Sequence, residues 1–245
     1  MKTYQAELHI HTVLSPCAGV EMIPPLIIQT AVNRGLNMIA ITDHNASENV
    51  AAVIKAAKGQ DITVLPGMEL QTKEEVHVLC LFDTLEQLAE LQKIVDQTLP
   101  DIPNNVEYFG EQFIVDHTGE FIQRKERLLI NSTQLSFEDA YAAVASLGGL
   151  FIPAHVDRQA FGLIYHLGFV PPDLDIDALE ISRHITPEAA FDKFPQIKGY
   201  PLIQSGDVHY LDDFLGINQF QLNAPTIKEI KSAFLGENGY EFRLK

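Results

Sequence analysis

The stretch MIAITDHN, residues 38–45, sets four apolar residues and a threonine ahead of Asp43, His44 and Asn45. A short apolar run closed by polar residues reads as a buried strand, here Met38–Thr42, ending in groups able to do chemistry. Just before it, Pro24–Arg34 has helical spacing, with Pro24 and Pro25 in the first turn and Gly35 as the stop. The rhythm continues on both sides. Ala6–Ile10 alternates as a strand before a polar turn, and Ser47 caps a helix that runs to Lys58. Ile62–Leu65 and Val76–Phe82 read as strands, and Leu85–Leu99 as an amphipathic helix. Ser136–Leu147 resumes as helix, followed by strands at Leu150–Pro153, Ala178–Ile181, Leu202–Gln204 and Ile217–Leu222 and a last helix at Thr226–Leu235. Such alternation predicts an α/β chain with a parallel sheet, either a barrel or a doubly wound layer.

One stretch breaks the pattern. Pro100–Arg127 holds Pro103, Asn104 and Asn105, then apolar residues on either side of a turn at Asp116–Gly119, which reads as a β-hairpin. It is too short to bury a core of its own. The expectation is one domain over residues 1–245, with a hairpin excursion at about 100–130.

The chain is 46% hydrophobic and 20% charged with a mean hydropathy of +0.03, an ordinary composition for a globular protein with a full core. Acidic residues outnumber basic ones 33 to 17, for a formal charge of −16, and no Lys or Arg run supplies a basic stripe. Long nucleic acids are therefore disfavoured as partners. Cys17 and Cys80 are too few for a disulfide framework, which points to a reduced, cytoplasmic setting. No signal-peptide core opens the sequence and no run of about 18 apolar residues appears, so no membrane partner is expected.

Metal-binding residue types recur where strands meet loops. Strand one ends in His9-Ile10-His11 and strand two in Asp43-His44; strand three leads to Glu69 and strand four opens with His77. Later strands bring His155 and the pair Asp207 and His209. In a β/α barrel the C-terminal strand ends share one face, so these groups can meet at one mouth. Residues i and i+2 of a strand point the same way, which lets His9 and His11 chelate one ion, a spacing that Asp207 and His209 repeat. Imidazoles with carboxylates suit zinc, iron or manganese. Each piece alone has an ordinary structural reading, as helix cap or buried hydrogen-bonding histidine. The coincidence of six histidines at strand ends outweighs it. His117, His166 and His184 fall in the hairpin, a helix and a loop, and carry no such signal, although His184 lies near a strand end.

The motifs ELHIHT at 7–12, ITDHN at 41–45, GMEL at 67–70, VHVL at 76–79, PAH at 153–155 and SGDVH at 205–209 resemble those of the PHP family, named for polymerase and histidinol phosphatase. They span most of the chain in the family's order, while the hairpin is covered by none. The resemblance implies a distorted (β/α)7 TIM-like barrel and two or three divalent ions (Zn, Fe or Mn). By analogy, His9 and His11 hold one ion with Glu69 and Asp207, and Glu69 bridges to a second held by His77 and His155. His44 and His209 hold a third, with Asp43 beside the cluster as a partner of ligands rather than a ligand. Where the family often has a further histidine, this chain has Cys17. Its thiolate is either a ligand favouring softer metals or a small loop residue that leaves the third site weaker.

The implied activity is hydrolysis of a small phosphorylated metabolite, nucleotide or short oligonucleotide. Paired ions would lower the pKa of a shared water so that a bridging hydroxide attacks phosphorus. Asp207 and Arg158 are the candidate catalytic residues, with Arg158 and then Arg183 as candidates for gripping a phosphate. The hairpin around Phe109–Phe121 is expected to cover the mouth. Two rivals stand beside this reading: C–N hydrolysis on the same metals, and a non-enzymatic, metal-stabilised binding module. Oligomeric state is not readable from the sequence.

Overall fold

Seven strands stand as the staves of a distorted barrel in the computed structural model, which describes residues Met1–Lys245. In chain order these are β1 (Lys2–Ile10), β2 (Met38–Ile41), β3 (Thr63–Gln71) and β4 (His77–Leu81), followed by the hairpin β5 (Phe113–Val115) and β6 (Phe121–Arg124) outside the barrel. The remaining staves are β7 (Leu150–Pro153), β8 (Leu179–Ile181) and β9 (Leu202–Gln204), and the chain ends with β10 (Asn218–Leu222) and β11 (Glu241–Leu244). Strands β1 to β4 and β7 pair in that order, as do β8 and β9. Single residues join the two pieces. The Val156 amide donates to Glu180 O, and Val208 donates to His9 O while accepting from the His11 amide. The ring is thus closed by isolated bonds instead of full ladders, and that is its distortion. β10 and β11 extend the sheet antiparallel from Lys2–Ala6 of β1.

The expected all-parallel sheet fails at β4, which runs antiparallel to both β3 and β7. Only Thr72–Val76 link β3 to β4, with Glu75 left-handed at φ 61°. A parallel crossover needs a dozen or more residues. The reversal puts the start of β4, and so His77, at the mouth where the parallel strands end.

Two apolar layers hold the barrel. Ala6, Leu8, Met38, Ala40, Leu79 and Ile152 are among the side chains that fill its interior, and Phe220, Phe234 and Phe242 seal the end away from the mouth. Ile39, Ile41, Met68, Leu70 and Val78 face outward and pack under the helices. Each such fully buried side chain contributes roughly 1.5–3 kcal/mol.

Several helix starts follow the sequence closely. Thr84 and Gln87 form a reciprocal capping box on Leu85–Thr98, and the Ser136 and Thr226 side chains cap Phe137–Ser146 and Ile227–Leu235. Ser47 does not cap. The second helix is Val50–Ala56, and the Ser47 hydroxyl donates instead to Gln92 Oε1. The helix Pro187–Lys193 and strand β11 were not anticipated. The hairpin forms at its expected turn, but residues 109–121 line neither cavity at the mouth. Phe113 donates its amide to Val13 O, so the hairpin braces the loop carrying Cys17. Both cysteines are free, and no helix is long and apolar enough to cross a membrane.

Candidate metal centre

A bulge in β1 aims the first two histidines. Glu7 pairs with Ile39 and Ile10 with Ile41, so three steps on β1 oppose two on β2. Upstream, Ala6 and Leu8 point into the barrel; downstream, Ile10 packs outward. The extra residue therefore lets His9 and His11 face the mouth while Leu8 still fills the interior.

The strand ends then converge on one carboxylate. Glu69, 1% exposed on β3, has five imidazoles around it. Its Oε1 lies 3.3 Å from His9 Nε2, 2.8 Å from His77 Nδ1 and 3.2 Å from His155 Nε2. Its Oε2 lies 3.3 Å from His11 Nε2 and 2.9 Å from His44 Nδ1. A carboxylate offers about four lone-pair sites, too few for five hydrogen-bonded rings. His44 Nδ1 and Glu69 Oε2 also lack hydrogen-bond geometry despite their closeness, and both are buried. Likewise His9 Nε2 and His11 Nε2 face each other at 3.1 Å. These contacts are what a donor set built around cations looks like: nitrogen and oxygen lone pairs aimed at shared points. The groups His9, His11 and Glu69, then His44, Glu69 and His77, then His11, His44 and His209 each place their ligand atoms within 4.8 Å of one another. The residues present fit a multinuclear divalent site.

The outer ring nitrogens are tied down, which fixes the tautomers. His9 Nδ1–H donates to Glu180 at 3.0 Å. Ser15 gives its one hydroxyl proton to Asp43, so the bond between His11 and Ser15 must run from His11 Nδ1–H. His209 Nδ1–H donates to Asp207 O. All three Nε2 lone pairs are thereby turned inward. Asp43 touches no ring; it accepts from Thr12 and Ser15 and holds His11 through the latter. Asp207 reaches His9 at 3.3 Å and His11 at 3.5 Å through Oδ1, while its Oδ2 accepts from Arg158 at 2.6 Å. Cys17 Sγ lies 3.1 Å from His209 Nε2, at the exposed rim of the third group. Arg183 bonds the side chain and carbonyl of Asp213, so it serves a loop contact, with its remaining surface on a neighbouring cavity.

Three contributors escaped the sequence reading. Glu180 is 1% exposed between Leu179 and Ile181, and a charge inside a short apolar strand was the signal available. Ser15 had none. Phe161 stacks on His77 with centroids 4.3 Å apart and planes 5° apart. Its φ is +62°, and Asn45, His155 and Asp207 are also left-handed. Strain in non-glycine residues that gathers at one mouth marks a functional site.

Charge in the cluster is balanced by protons when no cation is bound. Burial works against charge at Glu69, yet His77, His9 and His44 hold it well below the usual carboxylate range. Asp207 is depressed in the same way by His9 and His11. Burial opposes protonation of His11 and His44, but Asp207 and Glu69 at His11, and Glu69 and Cys17 at His44, raise both to about 9. Burial lowers His77 and His209 to about 4. The signs predict a stability maximum for metal-free protein. Stability due to His11 and His44 is complete below about 6.5 and is lost as pH rises through about 9. That due to His77 and His209 is lost as pH falls from about 6.5 to about 4. Thermal melts of chelator-treated protein should peak near neutral pH, and added metal should restore the alkaline side. A flat metal-free profile from pH 5 to 9 would contradict this.

Glu7 steadies the loop behind Asp207. Buried in full, it accepts the Gly206 amide on Oε1 and those of Leu215 and Gly216 on Oε2, at 2.8–2.9 Å. Gly206 is obligatory, because a Cβ there would stand 2.1 Å from Asp213 O. Glu7→Ala is expected to cost about 2–4 kcal/mol by orphaning these amides. A change in denaturation midpoint equivalent to less than about 0.5 kcal/mol would show that they find other partners.

Comparison with known proteins gives this geometry a context. A model of the PHP domain matches residues 7–155. The uncharacterized protein YqxK of Bacillus subtilis (strain 168) is 24% identical over 86% of this chain and 56% of its own length. The lesion-specific endonuclease PfuEndoQ from Pyrococcus furiosus superposes with a TM-score of 0.76 at 21% identity, covering 98% of this chain and 58% of that one. A structure of Endonuclease Q with a 27-mer duplex bearing an abasic lesion at its active site superposes with a TM-score of 0.67 at 20% identity, with the same coverage. This chain thus spans somewhat over half the length of these relatives. An architecture of this kind thus occurs in a protein bound to duplex DNA, which conflicts in part with the expectation, drawn from the acidic balance, that long nucleic acids are disfavoured.

Proposed function

The chain belongs to the PHP domain family, and from that premise we propose that it is a metal-dependent phosphoesterase acting at the mouth around Glu69. The observation that carries the reading is the set of five imidazole nitrogens within 3.3 Å of one buried carboxylate. His9, His11, Glu69 and Asp207 would hold one divalent ion, His77 and His155 a second across Glu69, and His44 and His209 a third with Cys17 at its edge. Zinc, iron and manganese suit these donors, and Cys17 favours the softer of them. When bound, such ions supply Lewis-acid charge and an activated water.

The protein's own residues do the rest. Glu180, Ser15 and the Asp207 carbonyl hold three rings with Nε2 turned inward before any ion arrives. Arg158, on the loop after β7, spends one N–H on Asp207 and is 42% exposed at the cavity edge. Its remaining N–H groups would bind the phosphoryl oxygens as negative charge develops. The cavity over the cluster measures about 230 Å³ and is walled on its apolar side by Ile130 and Phe161. Free cysteines accord with a reduced, cytoplasmic setting.

The test is metal analysis of purified protein joined to a panel of phosphomonoesters, phosphodiesters and amides. Expected are two or three ions per chain and turnover of phosphoesters alone. Less than one ion per chain, or turnover confined to amides, would sink the proposal.

A further inference from the structure

His77 is held on its edge and on its face by different chemistry. At the edge, Nε2 lies 3.3 Å from Gln71 Oε1, and the Gln71 amide nitrogen donates to the Ser132 hydroxyl at 2.9 Å, which leaves Oε1 to accept from the imidazole. That bond turns Nδ1 toward Glu69, 2.8 Å away. On the face, the Phe161 ring lies flat, with centroids 4.3 Å apart and planes 5° apart. The rings of His44 and His155 stand across the plane of His77 at 60° and 62°, so neither lies flat on it.

The placement of Phe161 is costly. At φ +62° its Cβ crowds the carbonyl oxygen that follows, a conformation that suits glycine and disfavours an aromatic side chain. Both of its backbone groups are tied down there. The amide donates to His166 Nε2 at 3.2 Å, and the carbonyl accepts the His77 amide at 3.0 Å. Gly162 follows where a Cβ would stand 2.1 Å from Arg158 O, so the loop turns back on itself in close contact. The Phe161 ring is half-buried in the cavity wall and belongs to neither apolar layer of the barrel. Core packing therefore does not account for the strain. Contact with His77 does.

We propose that Phe161 is the positioning residue of His77: the loop keeps an aromatic ring in a left-handed site because that ring, with Gln71 at the edge, holds the imidazole plane toward the second ion. An imidazole pinned on edge and face cannot swing Nδ1 away from Glu69, whereas the Gln71 bond alone lets it pivot. Strain is thereby stored at the mouth and offset by the packing of the barrel. The inference rests on the metal centre proposed above.

The test titrates chelator-treated wild type, Phe161→Gly, Phe161→Ala and Phe161→Tyr with cobalt(II), reading the visible absorption of the bound ions, and melts the metal-free proteins alongside. Gly and Ala both lack the ring, but only Gly accepts φ +62° without strain. Both variants are expected to bind one ion about 10–100-fold more weakly and the others as wild type does. Phe161→Gly should nevertheless melt higher than Phe161→Ala, reversing the ordinary order of these two residues, and Phe161→Tyr should keep wild-type affinity. Wild-type affinity for every ion in the Gly and Ala variants overturns the proposal, and so does an equal weakening of all ions, which would mark a loosened loop. A Gly variant that melts below the Ala variant overturns the stored strain. If wild type itself binds less than one ion per chain, the metal centre falls and this inference with it; if wild type fills and the variants match it, only this inference falls.

Discussion

Glu69→Gln is expected to empty the centre and to lower phosphoester turnover by at least about 10³-fold, some 4 kcal/mol of barrier. The amide keeps the size of the carboxylate but removes its charge and one acceptor oxygen. Five imidazoles would then crowd a neutral group. Ions that need a bridging anion lose their common ligand, and metal content should fall below one per chain. The metal-free variant should also be less stable than metal-free wild type by about 3 kcal/mol, because paired histidines lose their buried counter-charge. Metal analysis, steady-state rates and denaturant melts read these three effects separately. Full metal content in the variant would remove Glu69 from the bridging role.

Arg158→Ala should separate chemistry from metal binding. Arg158 touches only Oδ2 of Asp207, while His9 and His11 lie near Oδ1. The ions should therefore stay, and turnover should drop by about 10²–10³-fold, the usual cost of removing one donor to a developing oxyanion. Arg158→Lys should recover part of the rate, since a point charge survives but the two-pronged contact does not. A variant with normal rates would make Arg158 a partner of Asp207 and nothing more. Selective loss of phosphoester turnover would also count against C–N hydrolysis as the main activity.

Much of the centre was legible because ligand chemistry restricts residue type and strands restrict spacing. His9 with His11, and Asp207 with His209, declared themselves by the i, i+2 pattern, and Glu69, His77 and His155 by their places near strand ends. All of them do meet at one mouth. Glu180 and Ser15 did not stand out, because a residue that orients a ligand obeys no spacing rule; it has only to be near in space. Glu180 lies 171 positions from the ring it orients. The hairpin was found by its turn residues, yet its place was misjudged, because turn chemistry fixes a local shape and not the surface it leans on.

By itself, then, the sequence determined the α/β alternation and the identity of the histidines and carboxylates that gather at the mouth. These depend on neighbours a few positions apart. The tertiary structure alone decided that β4 runs backwards, that a bulge in β1 turns His9 and His11 toward the mouth, and that five rings share one carboxylate. Those outcomes depend on which strand lies beside which, and pairing is set by the burial of the whole barrel. His9 and His11 could be named from their spacing, but only the packed barrel could aim them.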